Sequence, residues 1–176
     1  MSPASKTLVR PATEADSSAI HRVTRAAFEV YGNDVRMPAA IIALRETEED
    51  VRRMIRHAGS GVRVLVAEVE GVVVGSVRYQ DIGGIGYLSR FAVRPDLQRG
   101  GIGRVLVQAV EDGCRAMGLP AIALHTSSRM SSLVHFYYRA GYFIHSTSTE
   151  RGYIRALFVK ELGEPDAYDL SPASRY

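Results

Sequence analysis

The 176-residue chain is 46% apolar, which suits one domain with a substantial core, and its formal charge is only +3. The sequence pI near 9.2 comes from scattered surplus arginines rather than a basic tract, and so argues against a nucleic-acid partner. Cys114 is the sole cysteine, which excludes an internal disulfide and a thiolate zinc cluster; with no membrane-length apolar run and no N-terminal signal region, the expected location is the cytoplasm.

Residues 1–6 read as a loose tail, residues 7–160 as a single domain and residues 161–176 as a C-terminal tail that is loose or makes an oligomer contact. Thr7 to Thr13 reads as a first strand. A helix follows, started by capping near Thr13 or Asp16, with Ile20, Val23, Ala27, Phe28 and Tyr31 as its apolar stripe and Gly32-Asn33-Asp34 as its stop. Residues 35–45 are ambiguous, with Pro38 as a break. Thr47 starts a second helix, whose acidic first turn of Glu48, Glu49 and Asp50 suits the helix dipole. Val51, Met54 and Ile55 are its buried positions, and His57 faces water.

Val62 to Val69 and Val72 to Tyr79 alternate as strands about a Glu70-Gly71 turn, with Gly75 marking a bulge. Tyr87 to Val93 is the next strand, ended by Arg94-Pro95-Asp96. Then come Gln98, Arg99, Gly100, Gly101, Ile102, Gly103 and Arg104, and directly after them a helix that places Ile102, Leu106, Ala109, Val110, Cys114 and Met117 on one face. Cys114 is accordingly a packing residue. Ala121 to Thr126 is a buried strand, Ser127 to Gly141 is a loop and short helix, and Tyr142 to Thr147 with Tyr153 to Lys160 form an antiparallel pair.

A strand, a glycine-rich turn and a helix together make an anion site. Unpaired N–H groups and the positive end of the dipole meet where glycines leave the backbone accessible. A Walker loop would need Lys-Ser or Lys-Thr after Gly103, and a dinucleotide fingerprint would need a small residue at Leu106; neither is present. Gln98-x-x-Gly101-x-Gly103, preceded by Phe91-Ala92-Val93-Arg94-Pro95, closely resembles the acyl-CoA pyrophosphate loop of the GNAT superfamily of N-acetyltransferases. Phe136-Tyr137, three further residues and Gly141-Tyr142 resemble the family's second motif at the matching separation, and the likeness extends over about residues 7–160.

That resemblance implies an α/β fold: a mixed, mostly antiparallel sheet of about six or seven strands, flanked by about four helices and splayed between Tyr87–Val93 and Ala121–Thr126. Acetyl-CoA would lie in the splay as co-substrate, with no metal. Its pantetheine would run along Phe91, Ala92 and Val93, and its pyrophosphate would sit on Gln98 to Arg104. The implied reaction is acetyl transfer to a primary amine of a small molecule or peptide by direct attack, with Tyr137 protonating the departing thiolate. The base is open. Tyr87–Val93 carries no carboxylate, and the position that ribosomal-protein-type relatives use falls on His125, whose ordinary pKa of about 6.5 suits the role; a water or backbone carbonyl is the rival. Met130 stands where the family places an asparagine, with Ser127, Ser128 or Ser131 as compensating groups. Glu29, Tyr31, Asp34 and Glu46 are the groups that could hold a cationic amine. A non-catalytic acyl-CoA binder or sensor is the alternative function, and a homodimer is an open possibility.

Overall fold

The computed structural model describes residues 6–36, 41–57, 61–164 and 168–176. Strand β1 spans Leu8–Pro11, β2 Arg63–Val69, β3 Val72–Asp81, β4 Gly86–Val93, β5 Ala121–Ser127, β6 Phe143–Ser148 and β7 Arg155–Glu161. Helix α1 spans Ser17–Val35, α2 Glu48–Arg56, α3 Ile102–Ala116, α4 Ser131–Arg139 and α5 Ser171–Ser174. The strands form one sheet in the order β1-β2-β3-β4-β5-β7-β6, antiparallel throughout except for β4 against β5. The mixed, mostly antiparallel sheet that the resemblance implies is therefore present.

Turn chemistry fixes the register. Glu70 and Gly71 both have positive φ, +51° and +77°, as a tight hairpin whose twist matches its strands requires. The bulge expected at Gly75 is present beside it: Ala67 pairs with Gly75 and Glu68 with Val73, which leaves Val74 as the extra residue. Gly75 has a second reason to be glycine. A Cβ there would stand 2.9 Å from a Leu106 methyl, so α3 could not approach the sheet as closely.

Period-two alternation sorts the faces. Val64 and Val66 point to α1 and α2 and bury Ile20 and Val51. Val77, Leu88, Ile122, Leu124 and Phe158 point the other way, where α3 and α4 contribute Leu106, Val110 and Tyr137. Cys114 is fully buried in that second layer. Thr47 caps α2 by accepting from the Asp50 N–H at 3.2 Å, and the Asp50 carboxylate accepts the Thr47 N–H in return at 2.9 Å.

Two expectations change. Helix α1 runs through Gly32-Asn33-Asp34 to Val35 and ends at Arg36 in the left-handed region, because burying Tyr31 and Gly32 against the sheet outweighs the local stop signal. Pro38 lies outside the described residues. At the other end, residues 168–176 are not loose. Tyr168, Leu170 and Ala173 cover Ile85, Tyr87, Ala121, Ala123, Leu157 and Val159, on the β5–β7 half of the face that α1 and α2 share. Residues 1–5 of the expected N-terminal tail lie outside the described residues.

Candidate active site

Strands β4 and β5 pair over two rungs only, Gly86 with Ile122 and Tyr87 with Ala123, and then part. From Leu88 onward the β4 edge turned away from β3 faces a cleft. A bulge sharpens the divergence: Ser76 pairs with Ala92 and Arg78 with Ser89, so Arg90 and Phe91 oppose Val77 alone. Arg90 takes the strained position, with φ +50°. The cleft forms because Gly86 allows close contact at the joined end; a Cβ there would meet the Cys114 Sγ at 2.6 Å and Ile122 at 3.3 Å.

The glycine turn lies past the open end of β4. Arg94 donates its backbone N–H to the Val74 carbonyl at 2.8 Å, and the Gln98 side chain donates to the Val93 carbonyl at 3.3 Å, which ties the turn to the strand. Arg99 and Gly101 both have positive φ, +74° and +85°, so the chain doubles back and delivers Ile102 as the first residue of α3. A Cβ on Gly101 would meet nothing within 4 Å, whereas one on Gly103 would press on the Phe91 ring at 2.9 Å. The two glycines therefore differ in purpose. Gly103 seats the helix on Phe91, and Gly101 faces open space beside the unpaired N–H groups of the first turn. Gly100 and Arg104 flank them, with the Arg104 N–H on the Gly101 carbonyl at 3.1 Å.

Tyr137 lies under the cleft in a nest of rings: Phe91 at 6.2 Å, Phe136 at 5.1 Å, Tyr142 at 5.5 Å and Phe158 at 5.5 Å between centroids. Phe91 stacks on Phe136 at 5.4 Å, so the β4 and α4 motifs meet directly. Burial pushes the Tyr137 phenol well above its ordinary value and keeps it protonated at any physiological pH.

His125 points to the other face of β5, toward Tyr87, whose hydroxyl is 2.9 Å from its Nδ1. Among the described residues no hydrogen bond or ring contact joins His125 to Tyr137. Burial, then Arg155 and Arg151, lower the His125 pKa to about 4. It is neutral at pH 7 and a weaker base than its residue type suggests. Burial likewise raises Tyr87, to about 12.

Of the carboxylates considered for a cationic amine, Glu29 and Glu46 already hold arginines. Glu29 pairs with Arg25 at 2.9 Å on the surface. Glu46 receives both arms of Arg78 at 2.7 Å and lies 3.7 Å from Arg90 Nε. The Tyr31 hydroxyl accepts the Ser127 N–H at 2.7 Å, which pins α1 to the far end of β5. Asp34 is exposed. Met130 packs beside Tyr31 and Leu133 as an apolar plug, while Ser127 accepts from the Arg129 N–H at 3.3 Å, Ser128 donates to the Ile154 carbonyl at 3.4 Å and Ser131 is exposed.

Sequence reasoning missed Arg78, Arg90, Tyr87 and Tyr176. A signal for the first two was present, since each is a charge inside an otherwise apolar strand.

The open-edged sheet thus carries a glycine turn feeding α3 and an aromatic α4. A family model described as the acetyltransferase (GNAT) family matches residues 24–142, and the chain belongs to that family. An IAA acetyltransferase of Azospirillum brasilense is 36% identical over 83 residues, 46% of this chain; the chain spans about half, 54%, of that relative's length. Among solved structures, the PaiA N-acetyltransferase of Thermoplasma acidophilum in complex with coenzyme A has a TM-score of 0.78 at 17% identity, over 89% of this chain and 99% of that one. The yncA protein of Salmonella typhimurium, solved with its cofactor acetyl-CoA, has a TM-score of 0.73 at 22% identity, over 94% and 99%.

Proposed function

We propose that the protein moves an acetyl group from acetyl-CoA to a primary amine by direct attack, without a covalent acyl-enzyme. The observation that carries this reading is the unpaired β4 edge running into the Gly101 turn, with Tyr137 buried below. Backbone groups of Phe91, Ala92 and Val93 would hold an extended pantetheine as an added strand. Gln98 to Arg104 would hold its pyrophosphate on the α3 N-terminus. Neighbours solved with coenzyme A and with acetyl-CoA support the choice of ligand.

The amine nitrogen, deprotonated, adds to the thioester carbonyl; the C–S bond then breaks, the thiolate gains a proton and the nitrogen loses one. A backbone N–H of the Phe91–Val93 segment is the candidate donor to the developing oxyanion. Tyr137 is the candidate proton donor to sulfur, where the cleft that desolvates its phenol also raises the thiol's proton affinity. For the amine proton we propose His125 with Tyr87, neutral and so able to accept, with a route through water as the rival.

The test is thiol release from acetyl-CoA across amines, amino acids and N-terminal peptides. Tyr137→Phe is expected to lower kcat about 100-fold while leaving acetyl-CoA affinity within about twofold. The reverse pattern would remove the donor role. A non-catalytic acyl-CoA binder is the second reading, favoured by Met130 and by the weak basicity of His125. Tight acetyl-CoA binding with no turnover on any acceptor would establish it.

A further inference from the structure

On the α1–α2 face, beside the β4 bulge, lies a cavity of about 150 Å³ lined by Glu46, Arg78, Gln80, Ser89, Arg90 and Tyr176, among others. The charges of its lining side chains do not balance. Arg78 is 3% exposed and Glu46 neutralises it through two short bonds, which leaves Arg90 only the 3.7 Å approach to the same carboxylate. Two guanidinium groups therefore share one carboxylate. The Nε atoms of both Arg78 and Arg90 are buried and make no hydrogen bond among the described residues. A buried guanidinium carries a large desolvation cost, and a second anion in the cavity would offset it. Arg90 is also held below its ordinary pKa, first by burial and further by Arg78, with Glu46 opposing.

Position adds the rest. Arg90 immediately precedes Phe91 in β4, and Ser89 and Arg90 both line the cavity, so the cavity adjoins the strand segment proposed to hold the pantetheine. Ser89 and Gln80 supply neutral hydrogen-bonding groups in the same cavity, and Tyr176 closes it through a hydrogen bond to Gln80. Resting on the acetyltransferase reading above, we infer that the acceptor is an amino acid-like molecule whose carboxylate, close to its amine, is bound by Arg90 in this cavity. The fork of Arg90 suits a carboxylate, and an amine without an anionic neighbour would leave the cavity's surplus charge uncompensated.

Two measurements test this. In the first, thiol release is followed with L-methionine and with L-methionine amide. The acid is expected to exceed the amide at least tenfold in kcat/KM, chiefly through KM. Arg90→Gln is expected to abolish that preference and Arg90→Lys to restore part of it. In the second, calorimetry on the CoA-saturated protein compares N-acetyl-L-methionine with its amide, which needs no turnover. The acid is expected to bind at least tenfold tighter, and Arg90→Gln to level the two. Turnover of acid and amide with equal efficiency would overturn the carboxylate site while leaving acetyl transfer standing. Discrimination in binding without turnover of any amine would keep the site and remove the transferase reading. Binding of neither product, or of both equally, overturns the inference.

Discussion

At the scale of single residues, environment changes chemistry more than identity does. His125 is the clearest case. Its folded pKa of about 4 lies below the unfolded value of about 6.5, so the unfolded chain binds a proton first as pH falls. The sign follows: its contribution is complete above pH 6.5 and is lost as pH drops toward 4, by at most about 3 kcal/mol. Urea midpoints at pH 7.5, 5.5 and 4.5 are expected to decline in the wild type and to decline less in His125→Gln. Asp16, held down to about 2 by Arg10, titrates below that window and does not confuse it. The histidine's position was legible in the sequence, because motif spacing is local. Its basicity was not, because burial and two arginines from the segment before and at the start of β7 decide it. The meeting of Glu46 with Arg78 and Arg90 was hidden for the same reason: it forms only when the α2 approach, β3 and β4 are assembled.

At the scale of elements, glycines separate the functional from the structural part of α3. Gly101→Glu places a carboxylate where an anion is proposed to bind, in space the protein itself leaves open. It is expected to raise the acetyl-CoA Kd at least tenfold by calorimetry, with about 1 kcal/mol of stability lost to the left-handed backbone. Gly113→Ala acts oppositely. An added Cβ would run into the Tyr79 hydroxyl, so overpacking of about 1–3 kcal/mol outweighs the helix-propensity gain of about 1 kcal/mol. Thermal melts are expected to show destabilisation, with acetyl-CoA affinity little changed. Both strands of the cleft and the Gln98-to-Gly103 turn were legible from periodicity and glycine spacing. The run of α1 through Gly32 was not, since burial of Tyr31 overrides a local stop.

At the scale of the whole molecule, residues 168–176 complete one face of the sheet. Ending the chain after Gly163 would uncover Tyr87, Leu157 and Val159 and remove Tyr168 and Leu170, a loss on the order of 3 kcal/mol. Denaturant titration is expected to report that loss. NMR titration of the histidines is expected to show His125 moving back toward 6.5, as Tyr87 becomes wetted; an unmoved His125 would mean that β5, β7 and the arginines alone set its pKa.

The two-rung junction of β4 with β5 has a wider meaning. Among the described residues every antiparallel ladder in the sheet lies within residues 8–93 or within residues 121–161, and the backbone pairing that joins the two is the two-rung contact of Gly86 and Tyr87 with Ile122 and Ala123, backed by side-chain packing from α1, α3 and α4. The sheet is in effect two cooperative units sharing a seam, and native-state hydrogen exchange should find its weakest protection along that seam. A ligand that fills the gap supplies the missing rungs. Binding the proposed cofactor would then also hold the two units together.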